Sequence, residues 1–202
     1  QVLVLQMIAL HLARLRGTMT QNRLRIFGQA LRELPRLAAE TLKLGPQVKK
    51  LAQKYGDARD FIYIGRGVGF PIAMEGALKL KELSYVHAEG YAAGELKHGP
   101  IALLAPETPL VAIATRSSVY EKVVSNVAEA RARSSPIIAV ATQGDDQIHR
   151  YAHDVLYVPE TPEQISPVLA VLPLQLLAYE IAVARGTDVD QPRNLAKSVT
   201  VE

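Results

Sequence analysis

The sequence contains no cysteine. A disulfide framework, a thiolate zinc site and a cysteine nucleophile are therefore excluded, and histidine, acidic, lysine and hydroxyl side chains remain for any chemistry. Aromatic residues make up only 5% of the chain. No basic stripe is interleaved with them and no recognised motif spacing is present, which argues against nucleic-acid binding.

A long uninterrupted apolar run is also missing. The segment VLAVLPLQLLAYEIAVA is broken by Pro173, Gln175 and Glu180, so we expect a buried core or interface helix and no membrane association. The chain opens without an initiator methionine in the middle of an apolar pattern, and its first arginines follow that pattern. We therefore expect a fragment of a longer protein and no signal peptide, because a signal peptide carries its basic residues first.

Charge is distributed unevenly along the 202 residues. Residues 1–60 hold 11 Lys and Arg against 4 Asp and Glu, a net charge of +7, whereas the whole chain has +3, which leaves −4 for residues 61–202. Solvated basic helix faces explain this excess, and an anionic partner such as a phosphate ester is the alternative.

The chain divides into a helical beginning and an alternating remainder. Helices are predicted over 1–16, over 18–44 with a break near Pro35, and over 46–55. After them, short apolar strands alternate with helices; the strands are DFIYIGRG, TPLVAIAT, SPIIAVAT and DVLYVPE, and the helices are PIAMEGALKLKELSYVHAEG, SVYEKVVSNVAEARAR, DDQIHRYAH and ISPVLAVLPLQLLAYEIAVARG. This alternation predicts an open α/β fold, a parallel sheet with helices on both faces.

Ligands of such folds bind at the carboxyl ends of the strands, which places the loops after Ile64, Thr115, Thr142 and Val158 at the expected functional edge. The GRGVG loop lacks the rest of a dinucleotide fingerprint, and no GKS or GKT follows it, so a tight turn is the simpler interpretation. The TRSSVYE loop has the composition of a phosphate-binding loop and equally that of an ordinary helix N-cap.

The segment EGALKLKE places Glu75, Lys79 and Glu82 at i, i+4 and i+7, on one face of a helix. A surface ion-pair ladder would give the same pattern. A lysine between two carboxylates is also a way to hold a proton-transferring base ionised and oriented.

The segment HAEGYAAGELKHGP carries His87, Glu89, Glu95 and His98. Their spacing matches no zinc signature, so no metal is expected. His98 precedes a Gly-Pro turn, which predicts a fixed loop where a histidine can act as acid or base.

The end of the chain, GTDVDQPRNLAKSVTVE, contains turn-forming residues before Lys197. We therefore expect an ordered arm that carries this lysine into a site, where a partly desolvated amine can form a Schiff base. His149 and His153 lack an acidic partner pattern and are predicted to be surface residues.

Together, EGALKLKELSYVHAEGYAAGELKHGP and GTDVDQPRNLAKSVTVE closely resemble the isomerase half of the isomerizing glutamine:fructose-6-phosphate aminotransferases, the glucosamine-6-phosphate synthases. The resemblance covers essentially the whole chain and implies a sugar isomerase (SIS) fold of flavodoxin-like type. It implies three regions: the end of a preceding SIS domain with linker helices over 1–45, a second SIS domain over 46–185, and an active-site arm over 186–202.

The resemblance also implies a chemistry. Lys197 would form a Schiff base with fructose 6-phosphate, Glu82 would move a proton between C1 and C2, and His98, from the neighbouring subunit of a dimer, would assist ring opening. Glu75 and Lys79 would support Glu82, and Ala196 would join Lys197 in substrate binding. The product would be glucosamine 6-phosphate, made from glutamine-derived ammonia in the cytoplasm without metal or organic cofactor.

The family's glutaminase half uses an N-terminal cysteine, and its phosphate loop belongs to the first SIS domain; neither has a counterpart here. We therefore expect these 202 residues alone neither to hydrolyse glutamine nor to isomerise at a useful rate. Two alternatives remain: a relative acting on other phosphosugars or on fructosamines, and a dimerisation and sugar-phosphate-sensing module.

Overall fold

The computed structural model describes residues 2–193. Three helices come first: α1 (Val2–Leu15), α2 (Gln21–Leu42) and α3 (Gly45–Tyr55). The alternating part then contains β1 (Asp60–Gly65), α4 (Gly69–Ser84), β2 (His87–Ala92), β3 (Leu110–Ala114), α5 (Tyr120–Arg131), β4 (Ile137–Thr142), β5 (Asp154–Val158) and α6 (Ser166–Ala184). Short 3₁₀ helices cover Ala93–His98, Pro100–Leu103 and Ile148–Arg150.

The described strands form one open sheet in the order β2-β1-β3-β4-β5, and every neighbouring pair is parallel. This is the flavodoxin-like order, in which the direction of winding changes between β1 and β3. The predicted open α/β fold is therefore confirmed.

Alternate residues of each strand enter two separate cores. On one face, strand residues such as Phe61, Tyr63 and Val111 pack with α2, α3, α4 and α6. On the other face, residues such as Ile62 and Ile64 pack with α5 and with the 3₁₀ helix Ala93–His98. Both faces of a parallel sheet are covered in this way because the crossover helices lie on them.

The helical beginning differs from the sequence prediction in one respect. Pro35 does not break α2, which continues to Leu42. Its ring lies on the exposed side of the helix, while Leu34 and Leu37 on the opposite side are buried in the core. Packing of this apolar side holds the helix together across the proline.

The segment after α4 was predicted wrongly. The helix ends at Ser84, and His87–Ala92 forms the edge strand β2, not a continuation of the helix. Residues 93–98, predicted as a loop, form a 3₁₀ helix. The predicted helix DDQIHRYAH is likewise reduced to the single 3₁₀ turn Ile148–Arg150. The polar composition HAEGYA hides this strand, because it lies at the edge of the sheet, where only Ala88 is fully buried.

Helix α6 is long and apolar enough to cross a membrane by length and composition alone. It nevertheless packs against the sheet and neighbouring helices, burying residues such as Leu169, Leu174 and Ile181 along its length. The prediction of a core helix is therefore confirmed.

Candidate active site

Helix α4 brings Glu75, Lys79 and Glu82 together. The Lys79 ammonium donates a hydrogen bond to Glu82 Oε2 and lies 3.9 Å from Glu75 Oε1. All three side chains are partly buried, with 26–38% of their surface exposed. The predicted carboxylate–lysine–carboxylate face is thus present, and its lysine is shared between the two acids.

This group lies away from the edge where the sequence led us to expect the site. Helix α4 connects two parallel strands, so it runs from the carboxyl edge of the sheet back to the amino edge. Glu82 follows the first residue of the helix by 13 positions, or about 20 Å of helix. The group therefore belongs to the outer surface of α4, and Glu75 also borders an apolar groove of about 550 Å³ between α1, α4 and α6.

The described part of the C-terminal arm returns to this same end of α4. The Thr187 hydroxyl donates to the carbonyl of Leu83 at 2.7 Å. Asp188 Oδ1 accepts the backbone N–H groups of Asp190 and Gln191, each at 2.9 Å, and so closes a local turn. The turn-forming role predicted for this segment is confirmed as far as the described residues reach.

Tyr85 is the contact that the sequence did not reveal. Its Oη accepts the backbone N–H of Arg193 at 2.7 Å, and the Arg193 guanidinium lies 4.2 Å from the centre of its ring. Tyr85 comes three residues after Glu82 in sequence. The arm is thus attached beside the candidate base. Tyr85 and Arg193 are separated by 108 positions, and Tyr85 has a positive φ that is unusual for tyrosine. No local pattern in the sequence therefore reveals this contact.

Lys197 and Ala196 lie outside the described residues, and their proposed roles remain predictions. The last described residue, Arg193, is four positions before Lys197.

His98 is not part of this group within one chain. It ends the 3₁₀ helix whose Ala93 and Leu96 enter the core shared with α5, on the opposite face of the sheet from α4. Within residues 2–193, no hydrogen bond or ion pair joins His98 to Glu75, Lys79 or Glu82.

The serine-rich loop after β3 is occupied by the chain's own carboxylates. Ser118 donates to Glu163 through its backbone N–H at 3.0 Å and through its hydroxyl at 3.2 Å. Arg116 pairs with Glu160 at 2.6 Å. The N-cap of α5 is Val119 and not a serine, so neither an ordinary serine cap nor an open phosphate loop describes this segment.

The glycines after β1 have a packing explanation. A Cβ atom on Gly65 would lie 2.3 Å from the carbonyl oxygen of Gly69, and Gly67 has a φ of +52°. Between them, Arg66 donates through Nε to the buried Asn126 Oδ1 at 3.1 Å. Its guanidinium also lies against Gly94, where a Cβ would come within 2.8 Å. The tight-turn interpretation of GRGVG is confirmed.

The remaining titratable groups do not form a second centre. No group of three or more His, Asp or Glu side chains in the described part of the chain is arranged to hold a metal ion. The side chains of His149 and His153 are largely exposed, as predicted, although the Nδ1 atom of His153 is partly buried where it accepts the Ile137 backbone N–H. Tyr91 donates to Glu89, which raises the pKa of Tyr91 to about 12 and lowers the pKa of Glu89, so this pair on β2 holds a charged carboxylate and a neutral phenol.

Comparisons with known proteins match almost the whole chain. The SIS domain family model matches residues 54–185. The chain is 53% identical over 201 residues to a glutamine--fructose-6-phosphate aminotransferase [isomerizing] of Thermus thermophilus, and 52% identical over 202 residues to that of Bacteroides thetaiotaomicron. Each alignment covers 100% of this chain and 33% of the relative, so the chain spans about a third of the length of these curated relatives.

A solved structure described as the C-terminal domain of glucosamine-fructose-6-phosphate aminotransferase from Francisella tularensis superimposes with a TM-score of 0.87 at 36% identity. The match covers 93% of this chain and 53% of that one. The resemblance that the sequence motifs indicated is therefore confirmed across the chain.

Proposed function

The chain belongs to the SIS domain family, and we propose that it forms the C-terminal part of the isomerase region of an enzyme that makes glucosamine 6-phosphate. The substrates are fructose 6-phosphate and glutamine-derived ammonia, and the location is cytoplasmic. Isomerizing aminotransferases share about half of the residues of this chain, which supports the proposal. The resemblance of the segments EGALKLKELSYVHAEGYAAGELKHGP and GTDVDQPRNLAKSVTVE supports it as well.

The observation that carries the proposal is the return of the C-terminal arm to the end of α4, beside a carboxylate that a lysine holds in place. An amine on the arm can attack the C2 carbonyl of an open-chain ketose and release water, which forms a Schiff base. Ammonia can then add to C2 and displace the lysine, which frees the amine of the arm and leaves the imine of ammonia on the sugar. Glu82 can take a proton from C1 of this imine and return one to C2, which gives the 2-amino aldose.

Lys79 has a supporting part in this scheme. Its ammonium contacts Glu82 and lies near Glu75, so it fixes the orientation of Glu82. A base must be ionised and aimed at the proton it removes before transfer can occur. Glu75 and Lys79 are therefore assigned to positioning, and Glu82 to proton transfer.

The proposal includes a homodimer. His98 and Glu82 lie on opposite faces of the sheet in one chain, which supports delivery of His98 from the neighbouring copy to the site for ring opening. The first SIS domain and the glutaminase domain of the same longer protein complete the enzyme; they supply the phosphate contacts and ammonia. Residues 1–202 alone are expected to lack both activities.

The test is borohydride trapping in the full-length protein. Fructose 6-phosphate and borohydride should label one peptide, and mapping should place the sugar on Lys197. The Glu82→Gln variant should still be labelled while it loses exchange of the C1 hydrogen with solvent, because it retains the amine and loses the base. A label at any other lysine would contradict the Schiff-base assignment.

The alternatives give different results in the same protein. If the chain works as a dimerisation and sensing module, Lys197→Ala should leave turnover intact. If it belongs to an enzyme of other phosphosugars or fructosamines, those compounds should be converted with a higher kcat/KM than fructose 6-phosphate.

A further inference from the structure

Tyr85 has a backbone conformation that tyrosine rarely adopts. It directly follows α4 with φ 58° and ψ 19°, the left-handed region, and its N–H caps the carbonyl of Lys81. Helices commonly end in this conformation with a glycine, which has no Cβ to strain the backbone. A tyrosine here indicates that its side chain has a use that a glycine would not meet.

The side chain is used by the C-terminal arm. Tyr85 Oη accepts the backbone N–H of Arg193 at 2.7 Å, and the Arg193 guanidinium stacks over the ring at 4.2 Å from its centre. One tyrosine thus contacts both the main chain and the side chain of one residue. The hydroxyl fixes the position of the backbone, and the cation–π contact fixes the direction in which the side chain leaves it.

Other contacts restrict the arm before it reaches Tyr85. Thr187 donates to the Leu83 carbonyl at 2.7 Å, and Asp188 closes the turn that follows. Arg185 donates to the Gly56 carbonyl at 2.8 Å at the point where α6 ends. The arm is therefore held at its start by Arg185 and Thr187 and at its last described residue by Tyr85.

We propose that Tyr85 is a positioning residue, which clamps Arg193 to the end of α4 and so sets the distance from Glu82 at which the segment carrying Lys197 begins. This inference rests on the proposed function, because it concerns the approach of Lys197 to the substrate. Tyr85 itself touches neither substrate nor reacting atoms. Its effect is to hold the start of the lysine-bearing segment at the end of the helix that carries Glu82.

The test uses Tyr85→Phe in the full-length protein. This variant keeps the ring and its cation–π contact and removes only the oxygen that accepts the Arg193 N–H. Hydrogen exchange of the Arg193 amide should become about tenfold faster, the size expected for loss of one hydrogen bond. Trapping of fructose 6-phosphate at Lys197 should slow about 10- to 100-fold at saturating substrate, with a smaller change in KM.

Two further variants make the result specific. Tyr179→Phe removes the hydroxyl of a tyrosine on α6 that is 46% exposed, and it should leave exchange, trapping and kcat unchanged. Arg193→Met keeps the backbone N–H and removes the cation–π contact, so it should also slow trapping. Combined with Tyr85→Phe, it should slow trapping by less than the product of the two single effects, because both variants loosen one attachment.

The outcomes separate the two proposals. If the unaltered protein is labelled at Lys197 and Tyr85→Phe is labelled at the same rate with unchanged Arg193 exchange, the clamp is wrong and the proposed function stands. If the unaltered protein is not labelled at Lys197, the proposed function fails, and the positioning role of Tyr85 fails with it. A fall in thermal stability that accounts for the slower trapping would also overturn the positioning role.

Discussion

The Lys79 ammonium donates a hydrogen bond to the Glu82 carboxylate three residues further along α4. The pair is only partly exposed, with 30% of the Lys79 side chain and 26% of the Glu82 side chain accessible. An ion pair of this spacing on an exposed helix surface contributes only a few tenths of a kcal/mol to stability. Its larger consequence is that the carboxylate has a fixed orientation.

Replacement of Lys79 by methionine should therefore affect activity more than folding. We expect kcat of the full-length protein to fall about tenfold or more, because a mis-aimed base loses at least ~1.4 kcal/mol of transition-state stabilisation. The urea midpoint should change little. Lys81→Met is the matched control, since Lys81 is an exposed lysine on the same helix. Equal kcat values for the two variants would remove Lys79 from the site.

The sequence predicted the elements whose local pattern is strong. Strands β1, β3, β4 and β5 are short apolar runs, and the face of Glu75, Lys79 and Glu82 follows from helical spacing. These features depend on periods of the chain itself.

Features that depend on distant partners escaped prediction. The residues of the edge strand β2 are polar and would also fit a helix. They form a strand because they pair with β1. Ser118 donates to Glu163, which lies 45 positions away in the sequence, and Tyr85 contacts Arg193 at a separation of 108 positions. The place of Glu82 relative to the sheet also depends on the direction of α4, which takes this residue away from the carboxyl edge.

Gly90 tests the correction at β2. A Cβ atom on Gly90 would lie 2.7 Å from the Cα of Met74, so strand and helix α4 must separate to admit it. We expect Gly90→Ala to lower the free energy of unfolding by about 2 kcal/mol or more, measured by urea denaturation. Were residues 87–90 helical, an alanine there would stabilise the protein instead.

Gly28 supplies the matched control for that measurement. It lies inside α2, and apart from the neighbouring backbone of that helix, a Cβ atom on it would meet no described atom within 4 Å. Gly28→Ala should raise the free energy of unfolding by about 0.5–1 kcal/mol, because alanine loses less backbone entropy in a helix. Opposite signs at the two glycines are the expected result.

Asn126 tests the packing of the loop after β1. Its side chain is buried, with 5% of the residue exposed, and accepts a hydrogen bond from Arg66 Nε at 3.1 Å. Asn126→Leu has a similar volume and leaves that donor without its partner, which should cost about 1–3 kcal/mol of unfolding free energy. The same change at the exposed Asn22, which accepts from Arg25, should cost less than about 0.5 kcal/mol. Similar losses at both positions would contradict the role given to Asn126.

His153 gives the protein a pH-dependent stability. Partial burial, followed by the charges of Arg131 and Lys54, lowers the pKa of His153 below its ordinary value of 6.5. Its Nδ1 accepts the backbone N–H of Ile137 at 2.9 Å, and a protonated nitrogen cannot do so. The folded protein therefore binds this proton less readily than the unfolded chain does.

Stability from His153 is fully present above the pKa of the unfolded chain and declines as the pH falls from about 6.5 towards the lower pKa of the folded state. Urea midpoints measured between about pH 7.5 and pH 5 should show this decline on top of the contributions of other groups. His153→Gln should make the decline shallower, because it removes the titrating nitrogen. His149→Gln, at an exposed histidine four residues earlier, should leave the slope as it is. An unchanged slope in His153→Gln would show that the decline comes from other groups.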